Sequence, residues 1–333
     1  MNKPKVVVWR PMYDQSGHAW FEEAGADLVI VDSTDAQAVM AELPDARAIW
    51  VRTPERITAD MMDAAPELAV ISTSGFGTDN VDIPAATERG ILVVNNLGFG
   101  RKPVSEHTVM LLLAVMKNLV WADAATRDGS GWEARSNAGF RELEGSTVGI
   151  IGMGYIGSEL ARKLTTGFRC KVIGYDPYVN MRMPYMVGAE MAENLDDLLP
   201  RVTSLCLCAE LTQESRDIIT ARELALLPKG AIVINTARGA LLDINALADA
   251  LASGHLYGAG IDTTFPEPLP DSHPIYKQKN VVFTPHTAGM TAQTMVEQTR
   301  FSVTQVMEVL SGGEPTFPVN PEAWQGGNSR KPE

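Results

Sequence analysis

The stretch Thr147-Val-Gly-Ile-Ile-Gly-Met-Gly-Tyr-Ile-Gly157 decides how this chain folds. Its apolar first half predicts a buried strand, and its glycines form the pattern G-x-G-x-x-G at the start of a helix. Gly152 allows a tight turn, Gly154 lets the backbone approach a diphosphate, and Gly157 lets the helix pack closely on the strand. The stretch therefore predicts a site where the N-terminus of a helix holds the phosphates of a dinucleotide.

An acidic residue follows the next predicted strand. Asp176 comes directly after the strand Lys171–Tyr175 and lies 176 − 157 = 19 residues beyond Gly157. A carboxylate at this spacing accepts hydrogen bonds from the adenine ribose and repels a 2′-phosphate, so we expect NAD rather than NADP. In the alternative interpretation, Asp176 only begins the Asp-Pro turn after the strand.

Short apolar runs alternate with helical patterns along the chain, which is typical of parallel sheets covered by helices on both faces. One group of strands is predicted at Lys5–Trp9, Ala26–Val31, Ala46–Arg52, Leu68–Thr73 and Gly90–Asn95. A second group is predicted at Thr147–Ile151, Lys171–Tyr175, Ser204–Cys208, Ala231–Asn235, Gly258–Asp262 and Val281–Thr284. The expected fold is α/β with two doubly wound parallel-sheet domains, the second of them a Rossmann dinucleotide-binding domain.

The length of 333 residues predicts two domains at about 150 residues each. The strand pattern restarts after Pro103, where a long helix is predicted over Val104–Ala122 with the proline in its first turn. A further helix, predicted over Thr291–Leu310, is expected to return to the first domain. The predicted domains are residues 1–102 plus 292–325 and residues 103–291, followed by a mobile polar tail at 326–333.

Composition excludes several classes of protein. The net charge of −13 disfavours binding to nucleic acid or to an anionic membrane. The longest strongly apolar stretch, Val109–Met116, is far shorter than the roughly 20 residues of a membrane span. The apolar run Val6–Trp9 is too short for a signal peptide, and the three cysteines fit a reducing cytoplasm. Cys206 and Cys208 are expected to be small buried side chains, and no metal site is predicted.

Three polar segments follow strands of the second predicted sheet. They carry one guanidinium, one carboxylate and one imidazole, in Arg238, Glu267 and His286. Because the carboxyl ends of parallel strands meet at one edge of a sheet, we expect these groups to converge near the dinucleotide. Taken singly, an arginine after a strand is usually a surface residue and a lone histidine is usually structural.

Four sequence blocks resemble the D-isomer-specific 2-hydroxyacid dehydrogenase family, whose members reduce 2-oxo acids with NAD(P)H. The resemblance runs from about Ala46 to about Thr294. The blocks are Ser74–Asp82, the glycine motif, Ile234–Gly239, and the pair Glu267-Pro268 with Pro285-His286. The resemblance implies a flavodoxin-like substrate domain at 1–102 plus 292–325, an NAD-binding domain at 103–291, and a cytoplasmic homodimer.

The family's catalytic residues map onto Arg238, Glu267 and His286. The roles agree with general chemistry, since an alcohol that gives up hydride must also lose a proton, and histidine is suited to take it. A carboxylate beside the imidazole favours its protonated form. An arginine fork can hold a carboxylate and polarise the C2 oxygen of the substrate.

The resemblance also implies a set of binding residues. For NAD these are Gly152, Gly154, Tyr155, Ile156, Gly157, Asp176, Cys208, Ala209, Thr236, Ala237, Arg238, Asp262, His286, Gly289 and Thr108. Within that set, Asp262 is expected to accept a hydrogen bond from the nicotinamide carboxamide. For a small 2-hydroxy or 2-oxo acid they are Arg52, Ser74, Gly75, Phe76 and Gly77, with backbone N–H groups of the loop facing the substrate carboxylate.

The substrate and even the class of function stay open at this point. Arg52 matches an arginine that contacts phosphoglycerate in the phosphoglycerate dehydrogenase branch, but Thr73 stands where that branch has a second arginine. We therefore favour a glyoxylate- or hydroxypyruvate-like substrate, while Phe76 and Phe99 suit a bulkier apolar one. Arg101 and Lys102 are further candidate substrate cations. Cys208-Ala209-Glu210 replaces the family's frequent His-x-Pro near adenine.

Two alternatives lie outside this activity. C-terminal-binding corepressors resemble the family, retain the catalytic residues and serve as NAD(H)-sensing binding proteins, and fold alone does not exclude that role. Formate dehydrogenases share the fold but carry glutamine where this chain has Glu267, which disfavours them.

Overall fold

The computed structural model describes residues 3–325 and 329–332 of the chain. Within them the backbone forms twelve strands, β1 to β12 in chain order, at Lys5–Trp9, Asp27–Val31, Ala46–Val51, Val70–Thr73, Leu92–Val94, Thr147–Ile151, Lys171–Tyr175, Glu190–Met191, Ser204–Leu207, Ala231–Asn235, Leu256–Ile261 and Val281–Phe283. Most bounds fall within two residues of those predicted from the apolar runs.

The same residues form thirteen α-helices and five short 3₁₀-helices. The α-helices, α1 to α13, span Ser16–Glu23, Ala36–Met40, Ala59–Asp63, Ile83–Glu88, Arg101–Met116, Leu119–Arg127, Gly131–Ala134, Tyr155–Phe168, Arg182–Met186, Leu195–Leu198, Ala221–Leu226, Ile244–Ala252 and Ala292–Leu310. The 3₁₀-helices span Arg135–Asn137, Leu199–Arg201, Gly239–Leu241, Pro274–Lys277 and Pro321–Trp324.

The chain divides into two units, each with its own sheet. Unit 1 comprises residues 1–100 and 290–333, and unit 2 comprises residues 101–289. The strands of unit 1 lie in the order β2-β1-β3-β4-β5, which is the flavodoxin-like order. The strands of unit 2 lie in the order β12-β11-β10-β9-β6-β7-β8, which is the Rossmann order with one added strand. All strand pairs in both sheets are parallel, so the predicted fold class is confirmed.

The sheet of unit 1 is buried on both faces. Along β1, Val7 and Trp9 join one core cluster while Val6 and Val8 join the other. This alternation follows from the two-residue period of a strand. The helix α13 covers the second face with Val303 and its apolar neighbours, and it lies in unit 1.

The sequence prediction missed one strand of unit 2. The strand β8 has only two residues and pairs with Ile173 and Gly174 of β7. Glu190 is exposed, and two residues are too few to show an alternating apolar pattern. The sheet therefore has seven strands rather than the six expected.

Both predicted bounds of the helix Val104–Ala122 were wrong. The helix α5 begins at Arg101, and a break at Asn118 separates it from α6. Asn118 has φ 47°, a left-handed conformation that asparagine tolerates better than most residues. Within the described part of the chain, no single helix is long and apolar enough to cross a membrane, and only the bent pair α5 and α6 meets that criterion, by length and composition alone.

Part of the expected mobile tail is held against unit 1. Residues 326–328 and 333 lie outside the described residues. The backbone N–H of Arg330 donates to the carbonyl of Gly90 at 3.1 Å, and its guanidinium donates to the carbonyl of Ala65 at 2.8 Å. These bonds use carbonyls of folded segments, which the local sequence of the tail does not reveal.

A fully buried asparagine holds the C-terminal segment of unit 1 on the edge strand β5. The side-chain carbonyl of Asn320 accepts from the N–H of Val93 at 2.7 Å, and its amide donates to the carbonyl of Ile91 at 3.0 Å. Two backbone groups at this edge thus find their partner in one side chain.

Replacing Asn320 with alanine should therefore lower the free energy of unfolding of unit 1 by about 2–4 kcal/mol, because two buried backbone groups lose their partner. Chemical denaturation followed by tryptophan fluorescence measures the loss. The control is Asn137→Ala at an exposed position of unit 2, which should change stability by less than about 0.5 kcal/mol. Equal stability of the two variants would contradict the assigned role.

Candidate active site

The glycine turn begins where β6 ends. Gly152 has φ 90°, a conformation that side chains rarely adopt. A Cβ atom at this position would also lie 2.5 Å from the backbone nitrogen of Ala209 and 2.7 Å from the carbonyl carbon of Cys208. The chain thus needs glycine here for two reasons, and the turn brings the predicted residues Cys208 and Ala209 beside it.

The other two glycines of the motif have opposite surroundings. A Cβ atom on Gly157 would lie 1.9 Å from the carbonyl oxygen of Gly152, so α8 packs directly against the turn. Gly154, the N-cap of this 14-residue helix, has no heavy atom within 4 Å of a built Cβ. The open space lies where the N–H groups of Tyr155 and Ile156 begin the helix. A dinucleotide diphosphate fits this cradle, since backbone donors and the helix dipole both favour an anion.

Asp176 connects the end of β7 to the glycine turn. One carboxylate oxygen accepts from the N–H of Met153 at 2.8 Å. The other accepts from the N–H groups of Tyr178 and Val179 at 2.9 and 3.1 Å. Asp176 therefore forms the turn that the alternative interpretation described, and it also lies beside the phosphate cradle. Its oxygens retain lone pairs that a ribose hydroxyl can use.

The two cysteines at the end of β9 are not reactive thiolates. Cys206 lies within the core of unit 2, and burial raises the pKa of its thiol well above the ordinary value. Burial likewise raises the pKa of the Cys208 thiol to about 12. Both side chains therefore stay neutral at physiological pH. Among the described residues, no group of three or more His, Cys, Asp or Glu side chains is arranged to hold a metal ion.

The loop after β10 carries Arg238. The side chain of Asn235 fixes this loop, since its amide donates to the carbonyl of Arg238 at 2.9 Å and its oxygen accepts from the N–H of Ala237 at 3.0 Å. A Cβ atom on Gly239 would lie 1.9 Å from the carbonyl carbon of Thr264. This close approach packs the arginine loop onto the segment that leads to Glu267.

A buried carboxylate organises the loop after β12. The side chain of Asp262 is fully buried and accepts from the Thr284 hydroxyl at 2.5 Å. It also accepts from the N–H groups of Thr287 and Ala288 at 2.9 and 3.1 Å. The carbonyl of Asp262 accepts from the N–H of His286 at 2.8 Å, and His286 has φ 54°. Asp262 thus fixes the backbone on both sides of the histidine, a function that the sequence analysis did not assign to it.

His286 and Glu267 are in direct contact. The Nδ1 atom of His286 lies 2.9 Å from a carboxylate oxygen of Glu267, and each side chain is about one-third exposed, at 33% and 34%. Because a carboxylate only accepts, Nδ1 carries the proton and Nε2 is left to exchange a proton with a bound molecule. The predicted pairing of imidazole and acid is present in the structure.

A second histidine lies on the other side of Asp262. The Nε2 atom of His107 is 2.9 Å from the Thr284 hydroxyl and 3.5 Å from the Asp262 carboxylate. Burial lowers the pKa of His107, although the Asp262 charge opposes this shift. The Thr284 hydroxyl donates to Asp262, so it accepts from His107, and the Nε2 atom of His107 carries a proton. The adjacent Thr108 hydroxyl lies 2.8 Å from that of Thr236.

The substrate loop predicted in unit 1 is held by two asparagines. Asn96 donates to the carbonyls of Thr73 and Ser74 at 3.2 and 3.0 Å, and Asn95 donates to the carbonyl of Phe76 at 2.8 Å. The loop therefore has a fixed backbone, and the Phe76 side chain is 37% exposed. Sequence reasoning missed both asparagines, since the dipeptide after β5 resembles an ordinary turn.

The cations and aromatics considered for the substrate have distinct surroundings in unit 1. The guanidinium of Arg52 lies 4.9 Å from the centre of the Tyr13 ring. Phe99 stacks against Phe301 with ring centres 5.1 Å apart. Phe99 therefore belongs to a packed aromatic pair, whereas Phe76 remains exposed.

Most of the predicted NAD residues gather at one edge of the unit 2 sheet. The glycine turn, Cys208 and Ala209, the loop of Arg238, and the pair of Glu267 and His286 all follow the carboxyl ends of its strands. Gly289 lies at the end of the His286 loop, and a Cβ atom added to it would be 3.9 Å from a side-chain carbon of Val104. No role was assigned to Asn235, Thr284 or His107 in the sequence analysis. Asn235 bonds within its own loop, whereas Thr284 and His107 bond to side chains 22 and 177 residues away.

A flavodoxin-like unit, a Rossmann unit with an open glycine turn, and a histidine–glutamate pair at the same sheet edge define a dinucleotide-dependent dehydrogenase fold. Residues 109–288 match the family described as "D-isomer specific 2-hydroxyacid dehydrogenase, NAD binding domain". The chain belongs to the D-isomer-specific 2-hydroxyacid dehydrogenase family. The match confirms the family resemblance and NAD as the cofactor.

Two relatives that are named for an activity differ from each other in length and in substrate. The chain is 39% identical over 263 residues to the D-3-phosphoglycerate dehydrogenase of Mycobacterium tuberculosis, which covers 79% of this chain and 49% of that protein. The chain thus spans about half the length of that relative. It is 35% identical over 329 residues to the glyoxylate reductase of Thermofilum pendens, covering 97% and 96% of the two chains.

A solved structure shows the same fold over nearly the whole chain. The TT0316 protein from Thermus thermophilus is 33% identical and superposes with a TM-score of 0.87, covering 95% of this chain and 99% of the other.

Replacing Asp176 with alanine should reduce the preference for NADH over NADPH by about tenfold or more, because the 2′-phosphate no longer meets a carboxylate. The readout is the ratio of kcat/KM for the two cofactors, which a purely structural loss would not change. Asp196→Ala is the control, since Asp196 is exposed and pairs with Arg222. An unchanged ratio in the Asp176 variant would leave Asp176 only its turn-forming role.

Proposed function

We propose that the protein is an NAD-dependent oxidoreductase that interconverts a small D-2-hydroxy acid and its 2-oxo acid. The observation that carries this proposal is the 2.9 Å contact of His286 with Glu267, on a loop fixed by Asp262 at the sheet edge that holds the glycine turn. A histidine with one nitrogen bound to a carboxylate and the other free is an acid–base catalyst in a suitable position. The glyoxylate reductase that matches nearly the full length supports this reaction class.

Each of the three side chains has a separate role in the proposal. A nicotinamide ring held by the predicted NAD residues of unit 2 would supply the hydride acceptor for C2 of the hydroxy acid, and the hydride donor in the reverse direction. His286 takes the hydroxyl proton in oxidation and gives it back in reduction, while Glu267 keeps the imidazole oriented. Arg238 binds the substrate carboxylate and the C2 oxygen with its fork of donors. In oxidation the hydroxy acid gives one proton to His286 and one hydride to the cofactor. Its C2 carbon is therefore oxidised by two electrons, and the charges balance.

The proposed contact for the substrate carboxylate in unit 1 is the Ser74–Gly77 loop, and Arg52 is a proposed contact for a phosphorylated substrate only. The loop has a rigid backbone, and its glycines permit close approach to a carboxylate. We favour a glyoxylate- or hydroxypyruvate-like substrate, because Thr73 supplies no second cation beside the loop. Arg52 is the observation that favours a second candidate, 3-phosphoglycerate, since its guanidinium lies over a tyrosine ring and has no carboxylate partner among the described residues.

A homodimer is part of the proposal. Four large apolar side chains of unit 2, on α6, α7 and the segment that follows, are strongly exposed: Leu119 at 54%, Val120 at 59%, Trp132 at 73% and Phe140 at 48%. Exposed apolar clusters of this kind usually become covered when a protein associates. We propose that a second copy of the same chain covers these side chains, and that the homodimer works in the cytoplasm.

His286→Ala should lower kcat for 2-oxo acid reduction by about 10²–10⁴, because no positioned group then supplies the proton. NADH binding, measured by fluorescence titration, should be unchanged. His273→Ala is the matched control in the same unit, and its kcat should stay within about twofold of the parent. If the parent protein binds NADH but turns over no 2-oxo acid, the protein is an NAD(H)-sensing binding protein instead.

Arg52→Ala separates the two substrate candidates. A panel of glyoxylate, hydroxypyruvate, phenylpyruvate and 3-phosphohydroxypyruvate is assayed by NADH consumption in parent and variant. We expect glyoxylate or hydroxypyruvate to be the best substrate and its KM to change by less than about threefold, since its carboxylate binds elsewhere. A parent enzyme most active on 3-phosphohydroxypyruvate, with KM raised tenfold or more in the variant, would instead establish the phosphorylated substrate.

A further inference from the structure

A cavity lies at the amino-terminal ends of the strands in the unit 2 sheet, opposite to the carboxyl ends that the glycine turn follows. It has a volume of about 640 Å³ and lies where β10, β11 and β12 begin. Gly230, Leu256 and Asn280 line it, and each stands at or just before the first residue of one of these strands. The glycine turn and the loop of His286 follow the other ends of the same strands. The cavity is therefore separate from the NAD site.

The charge of this cavity is opposite to that of the whole chain. Its twelve lining residues include Arg141, Lys229, Lys277 and Lys279 and contain no aspartate or glutamate. The chain as a whole has a net charge of −13. None of the four cations makes an ion pair with any other residue that the structure describes. Four unneutralised positive charges around one cavity create a local field that attracts anions.

One of the cations is held in a fixed position. The guanidinium of Arg141 lies 3.7 Å from the centre of the Tyr257 ring and donates to the carbonyl of Gly230. The Tyr257 hydroxyl donates in turn to the carbonyl of Gly139 at 2.9 Å. These contacts use one face of the guanidinium and one of its donors, so further N–H groups remain for a ligand. The lysines are exposed and can close around an anion from the rim.

The helix that ends at the cavity opposes an anion only weakly. The last residues of α12, Leu251 and Ala252, line the cavity with the negative end of the helix dipole. That end corresponds to roughly half an elementary charge, against four full positive charges on the side chains. The balance favours an anion that carries several charges over a single carboxylate.

We propose that this cavity binds a polyphosphate group, either free or as part of a nucleotide. Its volume is within the usual range of small-ligand sites, about 300–1,000 Å³. Arginine and lysine together suit phosphate, the first as a fork of donors and the second as a mobile point charge. The one aromatic ring in the lining, Tyr257, is covered by Arg141 on one face, so recognition rests on the phosphates rather than on a base.

Calorimetric titration of the 333-residue chain with sodium tripolyphosphate and, separately, with ATP tests the proposal. Each titration is run without NADH and again with saturating NADH, which fills the dinucleotide site, and a salt concentration of about 20 mM limits screening. We expect one tripolyphosphate bound per chain. If ATP binds with an affinity similar to that of tripolyphosphate, the cavity recognises phosphate alone. If ATP binds more tightly, the same site also makes contacts with the nucleoside.

The double variant Lys277→Ala/Lys279→Ala should weaken tripolyphosphate binding by about tenfold or more, since two exposed cations are removed. The matched control is Lys171→Ala/Arg201→Ala, which removes two exposed cations of the same unit that pair with Glu190. Its affinity should stay within about twofold of the parent. Equal weakening in both double variants overturns the proposal.

Three other results also overturn it. They are the absence of any phosphate binding, loss of binding when NADH saturates the protein, and binding of a polyglutamate peptide in place of both phosphate compounds. The first and third show that the cavity is not a phosphate site, and the second assigns the phosphate to the dinucleotide site. All three leave the dehydrogenase proposal unaffected, because kcat with a 2-oxo acid is measured without these ligands.

Discussion

The buried carboxylate of Asp262 is the constraint on which the arrangement of the proposed active site depends. A carboxylate without water is unstable unless donors surround it, and here one hydroxyl and two backbone N–H groups do so. All three donors come from residues 284–288, so satisfying the charge fixes that loop. His286 accepts a left-handed backbone conformation as a consequence, and its imidazole meets Glu267. The geometry of the proposed active site thus follows from the hydrogen-bonding needs of one buried group.

The sequence was sufficient for the fold, because buried parallel strands leave strong apolar runs and glycine turns have their own pattern. The strand β8 left no such run, and the break at Asn118 depends on a conformation that several other residues would not adopt. The anchoring of Arg330 depends on carbonyls more than two hundred residues away in the chain. Local patterns therefore predict helices and strands well. They fail where a contact with a distant segment determines the conformation of the chain.

The same distinction applies to the site. Arg238, Glu267 and His286 could be proposed from the sequence because each follows a strand directly or after a short segment, and because they lie in the blocks that resemble the family. Asn96 and His107 could not be, because their partners lie on other segments: Asn96 bonds to the carbonyl of Ser74, and His107 contacts the Thr284 hydroxyl. The sequence thus reveals the proposed acid–base and substrate-binding groups more readily than the groups that hold them in place.

The two ends of the parallel strands in unit 2 attract anions by different means. Helices in this fold begin at the carboxyl edge, so backbone N–H groups and helix dipoles attract a diphosphate there without any lysine. The same helices end at the other edge, where their carbonyls repel anions, as α12 does at the polyphosphate cavity. An anion site at that edge has to be made from side chains, which is why Arg141 and three lysines gather there. A chain of net charge −13 can therefore bind NAD with few cations near the glycine turn and still hold a strongly cationic cavity at the opposite edge.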